Sequence, residues 1–164
     1  MEDFHQISIT GRYIYCYLCL RNAVKSKGLE NIPGFLDAIL KTFTSSSRLD
    51  DWQAEVDEVR PSIVLNKEKD RNYYKLHSYE QVSALRNYYL KNRLVADIVE
   101  NLIWLGISQL YVGFNSDSSF EYVQDIIGLL QDSKVELPNF SIISNCSVNV
   151  SNGWGNSVDM DIFL

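Results

Sequence analysis

The chain has 164 residues, 46% of them hydrophobic, and a formal net charge of −6, which is enough apolar material for one sizeable core and a single domain over residues 1–164 without disulfide or metal staples. Three cysteines, an odd number, argue against a disulfide framework, and the longest apolar stretch is broken by Asp97, Glu100 and Asn101, which argues against a membrane span. The charge is uneven: residues 1–93 carry 14 basic and 12 acidic side chains, whereas from Leu94 onward one lysine faces nine carboxylates, a local balance of −8 that disfavours nucleic acid and favours basic partners.

In chain order, Ile7 to Lys27 begins with Tyr13-Ile-Tyr-Cys-Tyr-Leu-Cys-Leu20, whose aromatic content suits a strand. Tyr13, Tyr17, Leu20 and Val24 nevertheless share one helical face, and Lys25, Lys27 and Gly28 read as a last turn and its cap, so a helix is predicted. A second helix starts near Pro33, which suits a first turn because it lacks an N–H, and runs through Phe35, Leu36, Ile39, Leu40 and Phe43. A third, Trp52 to Val59, is capped by Asp50 or Asp51 and stopped by Pro61. Asn66 to Lys75 is charged and aperiodic and reads as a mobile loop. Ser78 and Gln81 have capping-box spacing ahead of a fourth helix, Tyr79 to about Leu90, with a bend near Asn92.

Arg93 to Phe114 is the longest apolar stretch and the expected centre of the fold: Leu94, Val95, Ile98, Val99, Leu102, Ile103 and Leu105 form a helical stripe. Gly106 reads as its stop and Ile107 to Phe114 as a short buried strand. Ser118 and Glu121 have capping-box spacing before another helix, which turns Phe120, Val123, Ile126, Ile127 and Leu130 inward. From Phe140 the pattern alternates, at Val148 and Val150 and again at Val158, Met160, Ile162 and Leu164, which predicts two short strands around Asn152-Gly153. The expected class is mainly α, a helical domain with a small β element, short strands or a hairpin, in the C-terminal half.

Few residues point to chemistry. Cys16 and Cys19 have the C-x-x-C spacing of a zinc half-site or redox pair, but His5, His77 and Cys146 do not complete a recognisable zinc set, and an apolar helix is the wrong place for a redox pair. Both read as small buried side chains. No G-x-S-x-G, phosphate-binding glycine loop or H-E-x-x-H occurs, so no catalysis and no cofactor or metal is expected. Asp50, Asp51, Glu55, Asp57 and Glu58 form an acidic cluster that could meet a hard cation or a basic partner, or simply solvate a helix start. Trp104 reads as core, while Trp52 and Trp154 are open between core and surface. The acidic opening Met-Glu-Asp-Phe-His lacks the order of a secretory signal, so a cytoplasmic location is expected.

Lys41 to Leu65, KTFTSSSRLDDWQAEVDEVRPSIVL, resembles the helix end, Ser-rich turn, Leu-x-x-Trp helix and following proline of some small bacterial immunity proteins, which protect a cell from its own polymorphic toxins. The apolar first helix and Asn152-Gly-Trp-Gly155 add to the likeness. It implies a helical, non-catalytic cytoplasmic protein that binds and blocks a cognate toxin; a helical adaptor or regulator of another protein is the alternative. The resemblance supplies no contact residues, but charge does. Asp117, Glu121, Asp159 and Asp161 would steer a basic toxin, of the nuclease kind for instance, with Asp51 and Glu55 as a second patch and Trp154 as an anchor.

Overall fold

Two helices organise the fold: one over Arg93–Ile107, which packs against four other helices, and one over Ile9–Ser26, which is the most deeply buried. The computed structural model describes residues 3–111 and 116–164, with helices α1 (Ile9–Ser26), α2 (Gly34–Thr42), α3 (Leu49–Val59), α4 (Pro61–Val64), α5 (Tyr79–Lys91), α6 (Arg93–Ile107) and α7 (Ser116–Asp132), and short 3-10 turns at Phe4–Gln6, Phe140–Ile143, Ser151–Gly153 and Met160–Phe163. Every residue from Ile9 to Leu20 is buried, so α1 is enclosed on all sides over its first three turns, while Arg21, Lys25 and Ser26 near its end are exposed. It packs against α6 and α7, which also pack along one another. The expected centre, Arg93 to Phe114, supplies α6, which packs against α1, α4, α5 and α7 and so joins the two halves of the chain as expected.

An enclosed helix must satisfy most of its polar groups internally, and α1 does so over long sequence distances. Tyr13 donates to the Leu40 carbonyl at 2.9 Å, Tyr15 to the Pro138 carbonyl at 3.1 Å and Tyr17 to the Asp37 carboxylate. Arg12, fully buried, donates from Nε to the Phe4 and Ile7 carbonyls, both at 3.0 Å, and from Nη1 to Ser119 Oγ at 2.6 Å. One side chain thereby ties the N-terminal turn and the start of α7 to the central helix. Burial pulls the Arg12 guanidinium below its ordinary value. Each fully buried aliphatic or aromatic side chain around this helix contributes about 1.5–3 kcal/mol.

The capping box at Ser78 and Gln81 is present, and Asn92 separates α5 from α6. Pro33 precedes α2 as expected. Other local signals resolve differently. Pro61 ends α3 but opens α4, which suits its missing N–H. Asp50 and Asp51 lie inside the first turn of α3, with Arg48 at the cap position, and Ser118 lies inside α7, which has already begun at Ser116. Gly106 is not a stop. It sits within α6, where an added Cβ would lie 2.5 Å from Trp52 and 2.9 Å from Phe43, so glycine lets the helix approach the aromatic cluster of Tyr13, Phe43 and Trp52.

The small β element is absent among the described residues. The strand expected over Ile107 to Phe114 begins inside α6 and turns through Ser108–Tyr111, and residues 112–115 lie outside the described residues. The C-terminal alternation forms no strands either. Its one ladder contact is an isolated antiparallel bridge between Ile7 and Ser147. The tail instead wraps the start of α1 through scattered backbone bonds: Ser8 N–H to Cys146 O at 2.8 Å, Thr10 N–H to Trp154 O at 3.0 Å, and Val158 N–H to Thr44 O at 2.8 Å. The alternation only partly marks what is buried: Met160 is buried and Val158 packs against the core, but Ile162 and Leu164 are exposed and Phe163 packs inward in a 3-10 turn.

Candidate functional site

Four of the nine carboxylates of the C-terminal half, Asp97, Glu100, Asp125 and Asp132, line one groove between α6 and α7. Asp97, Glu100 and Asn101 from α6 face Gln124, Asp125, Gly128, Leu129 and Asp132 from α7 across an open groove of about 490 Å³. The buried stripes, Val95, Ile98, Val99 and Leu102 on α6 and Val123, Ile126 and Leu130 on α7, face the core and leave the polar faces side by side. Gly128 has open space where a side chain would stand, so the floor of the groove is accessible.

Glu100 is the one carboxylate of the four with inward duties. It accepts from the Ser62 N–H at 2.8 Å, the Ser62 hydroxyl at 2.9 Å and the Trp104 indole at 3.0 Å, and lies 3.8 Å from Arg60. Arg60 in turn lies over the Trp104 ring at 4.5 Å, so Trp104 is half-buried, packed against the core and covered by Arg60. Asp97, Asp125 and Asp132 are exposed, and no Lys, Arg or His among the described residues lies within ion-pair distance of them. Three unpaired charges and one partly paired charge on adjacent helix faces repel one another, and a basic surface laid along them would relieve that repulsion.

The residues singled out from the sequence lie elsewhere and do not form one patch. Asp117 and Glu121 are exposed on the first turns of α7, with Asp117 3.9 Å from His5 Nδ1. Asp159 caps its own turn by accepting from the Asp161 N–H at 2.9 Å, and Asp161 pairs with Lys41 at 2.8 Å. Asp51 on α3 pairs with Arg48 at 3.2 Å, and Glu55 is half-buried one turn later. Trp154 is half-buried against the core, and Trp52 is 1% exposed, its indole donating to the Ile39 carbonyl at 3.1 Å. Among the described residues no three His, Cys, Asp or Glu gather as metal ligands, which includes the α3 cluster. Cys16 and Cys19 are buried on α1, and burial pushes both thiols up.

No family model, curated protein or solved structure matches this chain. Function therefore rests on its own geometry. Helical spacing could have found the groove: Asp125, Gly128 or Leu129, and Asp132 recur at three- to four-residue intervals on α7, as Asp97, Glu100 and Asn101 do on α6.

Another concavity, about 830 Å³, lies between the end of α1, residues 28–32 and residues 136–142. Two of its polar side chains are engaged, since Asn22 donates to the Glu136 carbonyl at 3.0 Å and Arg21 lies 3.9 Å from Asp37. No helix among the described residues is long and apolar enough to cross a membrane.

Proposed function

We propose that this chain is a non-catalytic inhibitor of the immunity type, which occupies a cognate bacterial toxin stoichiometrically and presents the α6–α7 groove to a basic element of it. One observation carries the proposal: Asp97, Asp125 and Asp132 stand unpaired beside Glu100 along a shared groove. An uncompensated acidic groove raises the local concentration of a basic partner and speeds encounter at low salt. For a nuclease toxin the same carboxylates would lie where its cationic site expects phosphate. The asymmetry of −8 after Leu94 agrees with this, because most of that charge sits on α6, on α7 and in the tail. A cytoplasmic site of action belongs to the same proposal.

A helical adaptor would use the same groove for another basic protein, since an acidic groove selects charge and not toxicity. Co-expression with the product of the neighbouring toxin gene separates the two. An inhibitor is expected to abolish toxicity and co-purify at one to one, whereas an adaptor would leave the toxin active and unbound.

A further inference from the structure

Where the tail wraps the start of α1 it encloses part of a small cavity of about 160 Å³. One wall is the start of α1, through Ser8 at its cap and Thr10 in its first turn, and the other is the tail, through Cys146, Val150, Val158 and Phe163. Two backbone bonds fasten the walls together, Ser8 N–H to Cys146 O at 2.8 Å and Thr10 N–H to Trp154 O at 3.0 Å. We propose that this cavity binds a small neutral molecule with an apolar body and one hydroxyl group, of about the size of phenol. The inference goes beyond the inhibitor reading and does not depend on it.

Size and charge of the ligand follow from the walls. An apolar cavity of about 150 Å³ accommodates benzene, and the wall here is mostly apolar at a similar volume. No Asp, Glu, Lys, Arg or His among the described residues lines it. Burial also pushes the Cys146 thiol up, which keeps that side chain uncharged at neutral pH. An ionised ligand would give up its hydration and meet no opposite charge, so a neutral one is selected.

The polar contact comes from two buried hydroxyls that the protein leaves underused. Ser8 is fully buried; its Oγ accepts from the Gly11 N–H at 3.2 Å, and no acceptor among the described residues takes its proton. Thr10 is 8% exposed, and its hydroxyl makes no hydrogen bond among the described residues. A threonine inside a helix can donate to the carbonyl four residues earlier. For Thr10 that residue is Gln6, which lies outside α1 and whose carbonyl accepts the Val148 N–H at 2.9 Å. The two side chains converge, because a Cβ added at Gly155 would collide with Ser8 Oγ and lie 3.4 Å from Thr10 Cβ. Buried hydroxyls are rarely without partners, and a ligand hydroxyl that accepts from one and donates to the other satisfies both.

The test is titration of the intact protein with phenol, followed by amide NMR shifts. Saturable binding is expected, with the largest shifts at Ser8, Thr10, Gly155 and Val158, and bound phenol should slow the reaction of Cys146 with a thiol reagent. Thr10→Val removes the hydroxyl at nearly constant shape. It should weaken phenol about threefold to tenfold and leave benzene binding unchanged. Thermal stability should not fall, because the hydroxyl removed has no partner in the protein. Thr10→Ser, which keeps the hydroxyl, should retain the preference for phenol over benzene. Benzoate should bind at least about tenfold more weakly than phenol. Absence of saturable shifts at these residues with both phenol and benzene would overturn the proposal, since the cavity would then hold water only. So would equal weakening of phenol and benzene by Thr10→Val, a loss of stability in that variant, or benzoate binding as tightly as phenol.

Discussion

Replacing Glu58 by glutamine should loosen the segment between α4 and α5 and remove an acid-dependent part of the stability. Glu58 is 8% exposed at the end of α3. Its carboxylate accepts three successive backbone N–H groups, from Lys75 at 2.6 Å, Leu76 at 3.0 Å and His77 at 3.0 Å, with His77 Nδ1 at 3.2 Å. The stretch expected to be a loop is therefore clamped at its far end by a residue seventeen to nineteen positions earlier, which holds Leu76 outward at 57% exposure. Burial pushes the Glu58 carboxyl up, but the three N–H donors and the His77 ring outweigh it and hold it below its ordinary value.

The magnitude follows from these bonds. Glutamine keeps the shape but turns one acceptor oxygen into a donor facing donors, and it loses the charge assistance that makes such bonds worth about 1.5–3 kcal/mol. An overall loss of about 3 kcal/mol at pH 7 is expected, equivalent to a fall in Tm of about 6–12 °C for a domain of this size. Because the folded carboxyl titrates below the unfolded one, the contribution is complete above the unfolded value of about 4.3 and disappears as the pH falls through the folded value. Urea unfolding of both proteins between pH 7 and pH 3 measures it, with hydrogen exchange at residues 75–77 as the local probe. The two stabilities should converge as the pH falls. A variant within about 0.5 kcal/mol of wild type at pH 7, or a difference independent of pH, would refute the clamp.

Gly106→Ala should destabilise by about 1–3 kcal/mol through overpacking against Trp52 and Phe43, measured by chemical unfolding; an unchanged midpoint would contradict the close approach. Cys16 and Cys19, buried with their thiols pushed up, should resist a thiol reagent in the native protein and react only on unfolding, with half-buried Cys146 reacting first. Trp52→Ala should cost about 3–5 kcal/mol of stability. Trp154→Ala separates anchor from core: a binding loss of at least about 2 kcal/mol in a folded protein supports an anchor, and unfolding supports a packing role.

Much of the helical layout was legible because its signals are local. The capping box at Ser78, the break at Asn92 and Pro33 ahead of α2 each depend on neighbours within one turn. Gly106 was misleading for the complementary reason. Its local meaning is a helix stop, but its use is decided by Trp52 and Phe43, far away in the chain. The tail shows the same limit: Val148 and Val150 alternate as a strand would, yet pairing with residues 6–8 stops at the Ile7–Ser147 bridge and the flanking bonds of Cys146 and Val148. The enclosure of α1 was partly hidden because its polar groups, Arg12 and three tyrosines, find partners up to 123 residues away. For the site, the −8 asymmetry was plain in the sequence, but counting charges did not say which carboxylates share a face. Helical phase on α6 and α7 does, and it groups Asp97, Asp125 and Asp132 along one groove.

The central claim is that the α6–α7 groove draws in a basic toxin, and the association rate of the purified protein with its cognate toxin tests it most directly. The comparison is between wild type and the triple variant Asp97→Asn, Asp125→Asn and Asp132→Asn, at low salt and again at high salt. None of these side chains makes an ion pair among the described residues, so the fold should be unaffected. Association is expected to slow about tenfold or more in the variant at low salt, and the two rates should converge at high salt, where charges more than a few ångströms apart are screened. Equal, salt-insensitive association rates for a wild type and a variant that both still bind the toxin would contradict the account.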